Sequence, residues 1–166
     1  MRRRGLSHDE AIRRLEFQDA VAEVDDEIHA LLGDRDGGMW FDHDDGGRLK
    51  LAVVQRDGEV GPTELADLRD RLAALGLSQD TDIVLVDYSE REMLDAHGVI
   101  ADQLVDLYRA GKISSGLDPS ENALHVELAT SVTAPDRARL RRVAEHAPVR
   151  VLLRETDHAN LSPTPE

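Results

Sequence analysis

The sequence contains no cysteine. That absence excludes disulfides, thiolate nucleophiles and cysteine-based zinc sites together, and it leaves the compartment open. Aromatic residues make up only 3% of the 166 residues, so a core has to be built from Leu, Val, Ile and Ala. Basic residues are also scarce: 20 Lys and Arg stand against 34 Asp and Glu, a formal charge of −14. Nucleic acid and anionic membrane surfaces both demand clustered Lys and Arg, so neither is expected as a partner. A cationic partner, or plain solubility at neutral pH, fits the charge better. No apolar run approaches the roughly 20 residues of a membrane span. Met1-Arg2-Arg3-Arg4 has the charge of an export-signal start, but Ser7 to Leu15 is polar, so no export signal is expected in this chain.

Catalytic motifs are missing too. There is no G-x-S-x-G elbow, no Gly-Asp-Ser-Gly-Gly context for a chymotrypsin-like nucleophile, and no glycine-rich phosphate loop of either common type. The histidines (His8, His29, His43, His97, His125, His146, His158) are scattered, and no two have the i, i+4 spacing of a helical zinc site. Asp42, Asp44 and Asp45 begin like a calcium loop, but Gly46 and Val53 stand where the fifth and twelfth ligands belong. A metal-dependent hydrolase using Asp42, His43 and Asp44 is therefore the weakest of the readings. Gly37-Gly38 and Gly46-Gly47 read as turn glycines, and Asp25-Asp26-Glu27 as the decorated surface of a helix. Trp40, the single tryptophan, reads as a buried anchor, with a binding hot spot as the sharper alternative. The expectation is a protein that is not an enzyme, with no cofactor and no metal.

What is present is a segment that occurs twice in related form. Met39-Trp40-Phe41-Asp42, a Gly-rich turn and Arg48-Leu49-Lys50-Leu51-Ala52-Val53 form one copy. Gly116-Leu117-Asp118-Pro119-Ser120-Glu121-Asn122 and Ala123-Leu124-His125-Val126-Glu127-Leu128 form the other. Each is a short run ending in Asp, a turn, and a strand whose alternate residues are apolar. A helix and a further strand follow each. After the first come Gly61-Pro62 with the stripe Leu65, Leu68, Leu72 and Leu75, a closing Gly76, and then Ile83 to Val86, whose lack of alternation predicts cover on both faces. After the second come Thr133 and Pro135, with Leu140, Val143 and Ala144 inward, and a last strand over Val149 to Leu153. A helix precedes each copy. Ser7-His8-Asp9-Glu10 caps one that carries Phe17, Val21, Val24, Ile28 and Leu31 and stops at Gly33, Gly37 and Gly38. Ser89-Glu90-Arg91-Glu92 caps the other, which carries Met93, His97, Ile100, Leu104 and Leu107 and stops at Gly111.

The order predicts an α+β fold: two small ββαβ lobes, each a three-stranded, mostly antiparallel sheet with helices on one face. The expected divisions are an N-terminal helix (1–36), a first lobe (37–88), a linking long helix with a second lobe (89–154), and a flexible tail (155–166). A monomer is expected.

Three of these segments resemble the pro-region of alpha-lytic protease and the streptogrisin-type bacterial serine proteases. Leu32-Gly33 followed by Gly38-Met39-Trp40-Phe41-Asp42 is similar to that family's Gly-x-x-x-Ala-Gly-x-Trp segment, and Gly47-Arg48-Leu49-Lys50-Leu51 continues the likeness. Val86-Asp87-Tyr88-Ser89 with Met93-Leu94-Asp95-Ala96 resembles its Val-x-Tyr-Ser-x-x-x-Leu step. Asp118-Pro119-Ser120-Glu121-Asn122-Ala123-Leu124-His125-Val126 resembles its Val-Asp-Pro-x-x-Asn-x-Val-x-Val hairpin. The likeness spans roughly residues 21 to 153. It implies a cleaved folding chaperone that binds a chymotrypsin-like serine protease and then inhibits it, by pairing a C-terminal sheet edge with the protease and laying a tail in its cleft. By position, the partner-binding residues are then Leu124, Val126 and Leu128 or Val151 and Leu153 at the sheet edge, and Glu155, Thr156 and Leu161 in the tail. The alternative is a cytoplasmic interaction or ligand-binding module that kept the fold without a protease.

Overall fold

The computed structural model describes residues 6–55 and 60–157. Leu161 and Met1 to Arg4 lie outside the described residues.

The first helix begins where its cap predicts: the Ser7 hydroxyl accepts from the Glu10 amide, and α1 runs His8–Glu23. The helix does not continue unbroken to Leu32. Val24, at φ −119° and ψ 18°, ends α1 and opens α2 (Asp25–Leu32). The same device recurs after the capping box of Ser89 and Glu92. There α4 (Glu90–Gln103) stops at Leu104, at φ −122° and ψ 20°, and α5 (Val105–Arg109) begins. Neither break carries Gly or Pro. Both sit on apolar residues turned toward the core, Leu104 completely buried, so packing rather than propensity sets the bend.

A 3-10 turn (Gly33–Arg35) leads into β1 (Asp36–Asp42), which pairs antiparallel with β2 (Arg48–Val54). Helix α3 (Pro62–Ala74) returns the chain so that β3 (Thr81–Val86) lies parallel to β2 on its other side. The second half repeats this plan. Strands β4 (Ile113–Asp118) and β5 (Ala123–Ala129) form the hairpin, α6 (Ala134–Glu145) crosses, and β6 (Val151–Thr156) pairs parallel with β5. The two lobes thus share one topology, each a mixed sheet with its middle strand shared by an antiparallel and a parallel neighbour. The hairpins meet the antiparallel expectation; the third strand joins parallel because α3 and α6 carry the chain back to the end of the sheet where β2 and β5 begin.

Each lobe has its own core. Leu49, Leu51 and Val53 of β2 pack with Val21, Ile28 and Leu72 from the helices. Leu124, Val126 and Leu128 of β5 pack with Met93, Ile100 and Leu140. Burying each such side chain contributes about 1.5–3 kcal/mol. The other face of the first sheet carries a smaller cluster of Ala52, Val54 and Val86, against which Trp40 lies half-buried.

Three further expectations about the strands and glycines need correction. Leu85 is 42% exposed, so the apolar run of β3 is not covered on both faces; β3 is an edge strand. Gly37 and Gly38 are not turn residues. They sit in β1, where the register with β2 slips between Asp36 and Met39. A Cβ on Gly37 would lie 2.6 Å from the Val86 side chain, and Gly38 has φ +88°. The last strand also starts and ends later than its sequence suggests, so Glu155 and Thr156 belong to β6 rather than to a tail.

Candidate functional site

The hairpin turns are built alike. Asp42 Oδ1 accepts from the amides of Asp44 and Asp45 at 3.1 Å, and Asp118 Oδ1 accepts from Ser120 at 3.0 Å and Glu121 at 3.3 Å. Asp42 therefore serves the turn. Asp45 pairs with Lys50 Nζ at 2.5 Å, and Lys50 and Arg48 both pair with Asp82, each at 2.7 Å.

The second turn reaches across to the first lobe. Asn122, held at φ 46°, accepts from the amides of Asp87 at 3.0 Å and Tyr88 at 2.9 Å, and donates to the Tyr88 carbonyl at 2.8 Å. Its neighbour Pro119 lies against the Gly38 bulge, 3.3 Å from where a Cβ would stand. The three segments singled out in the sequence therefore meet in space: the bulge of β1, the step from β3 to α4, and the β4–β5 turn.

The same junction gathers chemistry that the sequence did not advertise. His29 of α2 is hydrogen-bonded through Nδ1 to Asp36 Oδ2 at the start of β1, and Glu90 of α4 completes a group whose donor atoms lie within 4.8 Å of one another. The Asp36 carboxylate raises the His29 pKa above its ordinary value, against the opposing effect of burial. These residues stand at positions 29, 36 and 90, so no local motif joins them; the visible trace was Asp25 four residues before His29 on one helix.

A second polar group lies inside the second lobe. Ser115, on the helix-facing side of β4, is hydrogen-bonded to His97 Nε2 at 2.7 Å and to the Tyr108 hydroxyl. A serine beside an imidazole is the first half of a nucleophile–base pair. Here Tyr108, half-buried and with its pKa raised by burial, shares the hydroxyl, and the three side chains form a polar island beneath α4 and α5.

The predicted partner-binding residues separate cleanly. Leu124, Val126 and Leu128 lie on the central strand of their sheet with buried side chains, so they do not form an edge. The parallel crossover brings β6 alongside β5 and occupies that side. The edge on that side is β6 itself. Leu124 donates to the Arg150 carbonyl at 2.9 Å, which fixes the alternation of a parallel pair. Arg150, Leu152 and Arg154 direct their backbone groups to β5, whereas Val151, Leu153 and Glu155 direct theirs away from the sheet. Among the described residues no strand pairs with that outer side. The Glu155 side chain is ion-paired with Arg137 of α6.

The chain matches no protein-family model, and no curated protein matches it. Among the described residues, no helix is long and apolar enough to cross a membrane.

Proposed function

We propose that the protein is a non-catalytic module of the protease pro-domain type, which binds a chymotrypsin-like serine protease as folding chaperone, inhibitor or both. The observation that carries this reading is the outer edge of β6. It belongs to the last strand of the second sheet, and the chain runs on from it toward the C-terminus. An extended segment of a partner can add there as a fourth strand, with the outward backbone groups of Val151, Leu153 and Glu155 supplying the hydrogen bonds. The convergence of the three pro-region-like segments on one junction supports the same reading, because residues that share a contact are constrained together. Acceleration of folding by this route requires a large complementary surface and no reactive group.

The test is inhibition of a streptogrisin-type protease cleaving a chromogenic peptide. Wild-type protein is expected to inhibit stoichiometrically. Glu155→Pro, which removes an outward donor without touching the β5 ladder, is expected to weaken inhibition at least about tenfold. Full protease activity at high excess of wild-type protein contradicts the proposal. In the second reading, the fold serves as an interaction module for a different partner. The exposed Leu85 on β3, an edge strand of the first sheet, favours it. Binding that depends on β3 and not on β6 would decide for it.

A further inference from the structure

We propose that His29, Asp36 and Glu90 form a binding site for a first-row divalent metal ion, Zn²⁺ being the best match. The site staples α2 and β1 of the first lobe to the helix that opens the second.

The donor set is one imidazole nitrogen and two carboxylates, within 4.8 Å of one another and supplied by three separate elements. This is a combination that zinc and its first-row neighbours accept and that calcium, which prefers all-oxygen shells, does not favour. One of the three ligands, Asp36, is already oriented by a group behind it, and a further carboxylate stands near the imidazole. Asp36 Oδ1 accepts from the Gly38 amide at 2.8 Å, which leaves Oδ2 turned toward His29. On the far side of the imidazole, Nε2 stands 3.6 Å from Asp25 Oδ1. A carboxylate behind a histidine is the arrangement that fixes the tautomer of a metal-bound imidazole and raises its basicity. Charge points the same way. Three carboxylates (Asp25, Asp36 and Glu90) surround one imidazole, so even a protonated His29 leaves the group net negative.

Access is open. A cleft of about 550 Å³ adjoins the group and is lined by Asp34, Asp36, Glu90, Arg91 and Asp95. It leaves room for water to complete the coordination. Because Glu90 is the first residue of α4 and Asp36 the first of β1, an ion there ties the start of one lobe's sheet to the start of the other lobe's leading helix.

The experiment is calorimetric titration of the full chain, stripped with a chelator, with Zn²⁺ at pH 7.5. Co²⁺ absorption serves as a second readout of the ligand field. Wild-type protein is expected to bind one equivalent. His29→Gln and Glu90→Gln should each weaken binding on the order of 100-fold, and Asp25→Asn about tenfold. His146→Gln, on the exposed end of α6, should leave binding unchanged. Glu90→Gln changes one half-buried group at a helix start, so its circular dichroism should match wild type and separate loss of ligand from loss of fold. Absence of binding to wild-type protein overturns the proposal. So does binding that survives both His29→Gln and Glu90→Gln, since the ion would then sit elsewhere.

Discussion

Asn122 grips Tyr88 by its backbone. Its side-chain amide donates to the Tyr88 carbonyl at 2.8 Å, and its side-chain oxygen accepts from the Tyr88 amide at 2.9 Å. The pair reproduces, with one side chain, the two bonds that a neighbouring strand would give. It joins a turn of the second lobe to the step between β3 and α4, and the left-handed backbone of Asn122 aims the side chain there.

Asn122→Ala removes three hydrogen bonds and leaves the Tyr88 backbone unsatisfied, at a cost of about 2–4 kcal/mol. Asn122→Gly relieves the positive φ but loses the same bonds, so it should recover well under half of that. Asn122→Asp keeps the acceptor and loses the donor. Urea melts of the three variants should rank Asp above Gly and Gly above Ala.

Gly37→Ala tests the bulge in β1. A methyl group there meets Val86 Cγ2 at 2.6 Å and Ala52 Cβ at 2.9 Å, neither of which can swing away. The expected loss is about 2–3 kcal/mol in thermal or urea unfolding. Gly46→Ala in the first turn meets no atom of the described residues within 4 Å, so only the strain of its φ of +68° should appear, about 1 kcal/mol.

The legible parts of the fold were the local ones. Capping hydroxyls at Ser7, Ser89 and Thr133, the prolines at 62 and 135, and the Asp-closed turns each act within a few residues, so spacing along the chain exposed them. Strand order was not local. Leu124, Val126 and Leu128 looked like an edge because nothing in their alternation tells which strand will return beside them; α6 decides that from a distance. Gly37 read as a turn residue because its real constraint, the approach of Val86, comes from a strand almost fifty residues later. The breaks at Val24 and Leu104 left no trace, since an apolar residue inside an apolar stripe does not announce a bend. His29, Asp36 and Glu90 were hidden for the same reason as Gly37: the contact is tertiary.

The acidic limb of the stability curve should depend on Asp82. Hydrogen bonds from Arg48, and then from Lys50, hold its carboxyl well below the ordinary value of 3.8. A carboxyl whose pKa falls on folding stabilises the fold above its unfolded value and loses that contribution as pH drops through the range below 3.8. Its side chain is 39% exposed, so solvent screening limits the contribution to below about 1 kcal/mol. Asp82→Asn should lower the melting temperature slightly at pH 7 and flatten the loss between pH 5 and 2.

Ser115 separates a structural island from a catalytic pair. If the hydroxyl serves packing, Ser115→Ala leaves His97 and Tyr108 each short of a partner and costs about 1–3 kcal/mol. Hydrolysis of p-nitrophenyl acetate by wild-type protein should not exceed that of the variant. Turnover that vanishes with the Ser115 hydroxyl would show that the second lobe holds a nucleophile.

The proposed role requires the outer edge of β6 to receive a strand from a serine protease. Hydrogen exchange on the free protein and on its mixture with a streptogrisin-type protease reads this most directly. The amides of Val151, Leu153 and Glu155 point away from β5, so they should exchange rapidly in the free protein and become protected by at least about a hundredfold in the complex, while those of Leu152 and Arg154 are protected in both. A complex in which these three amides still exchange freely, or no complex at all, contradicts the account.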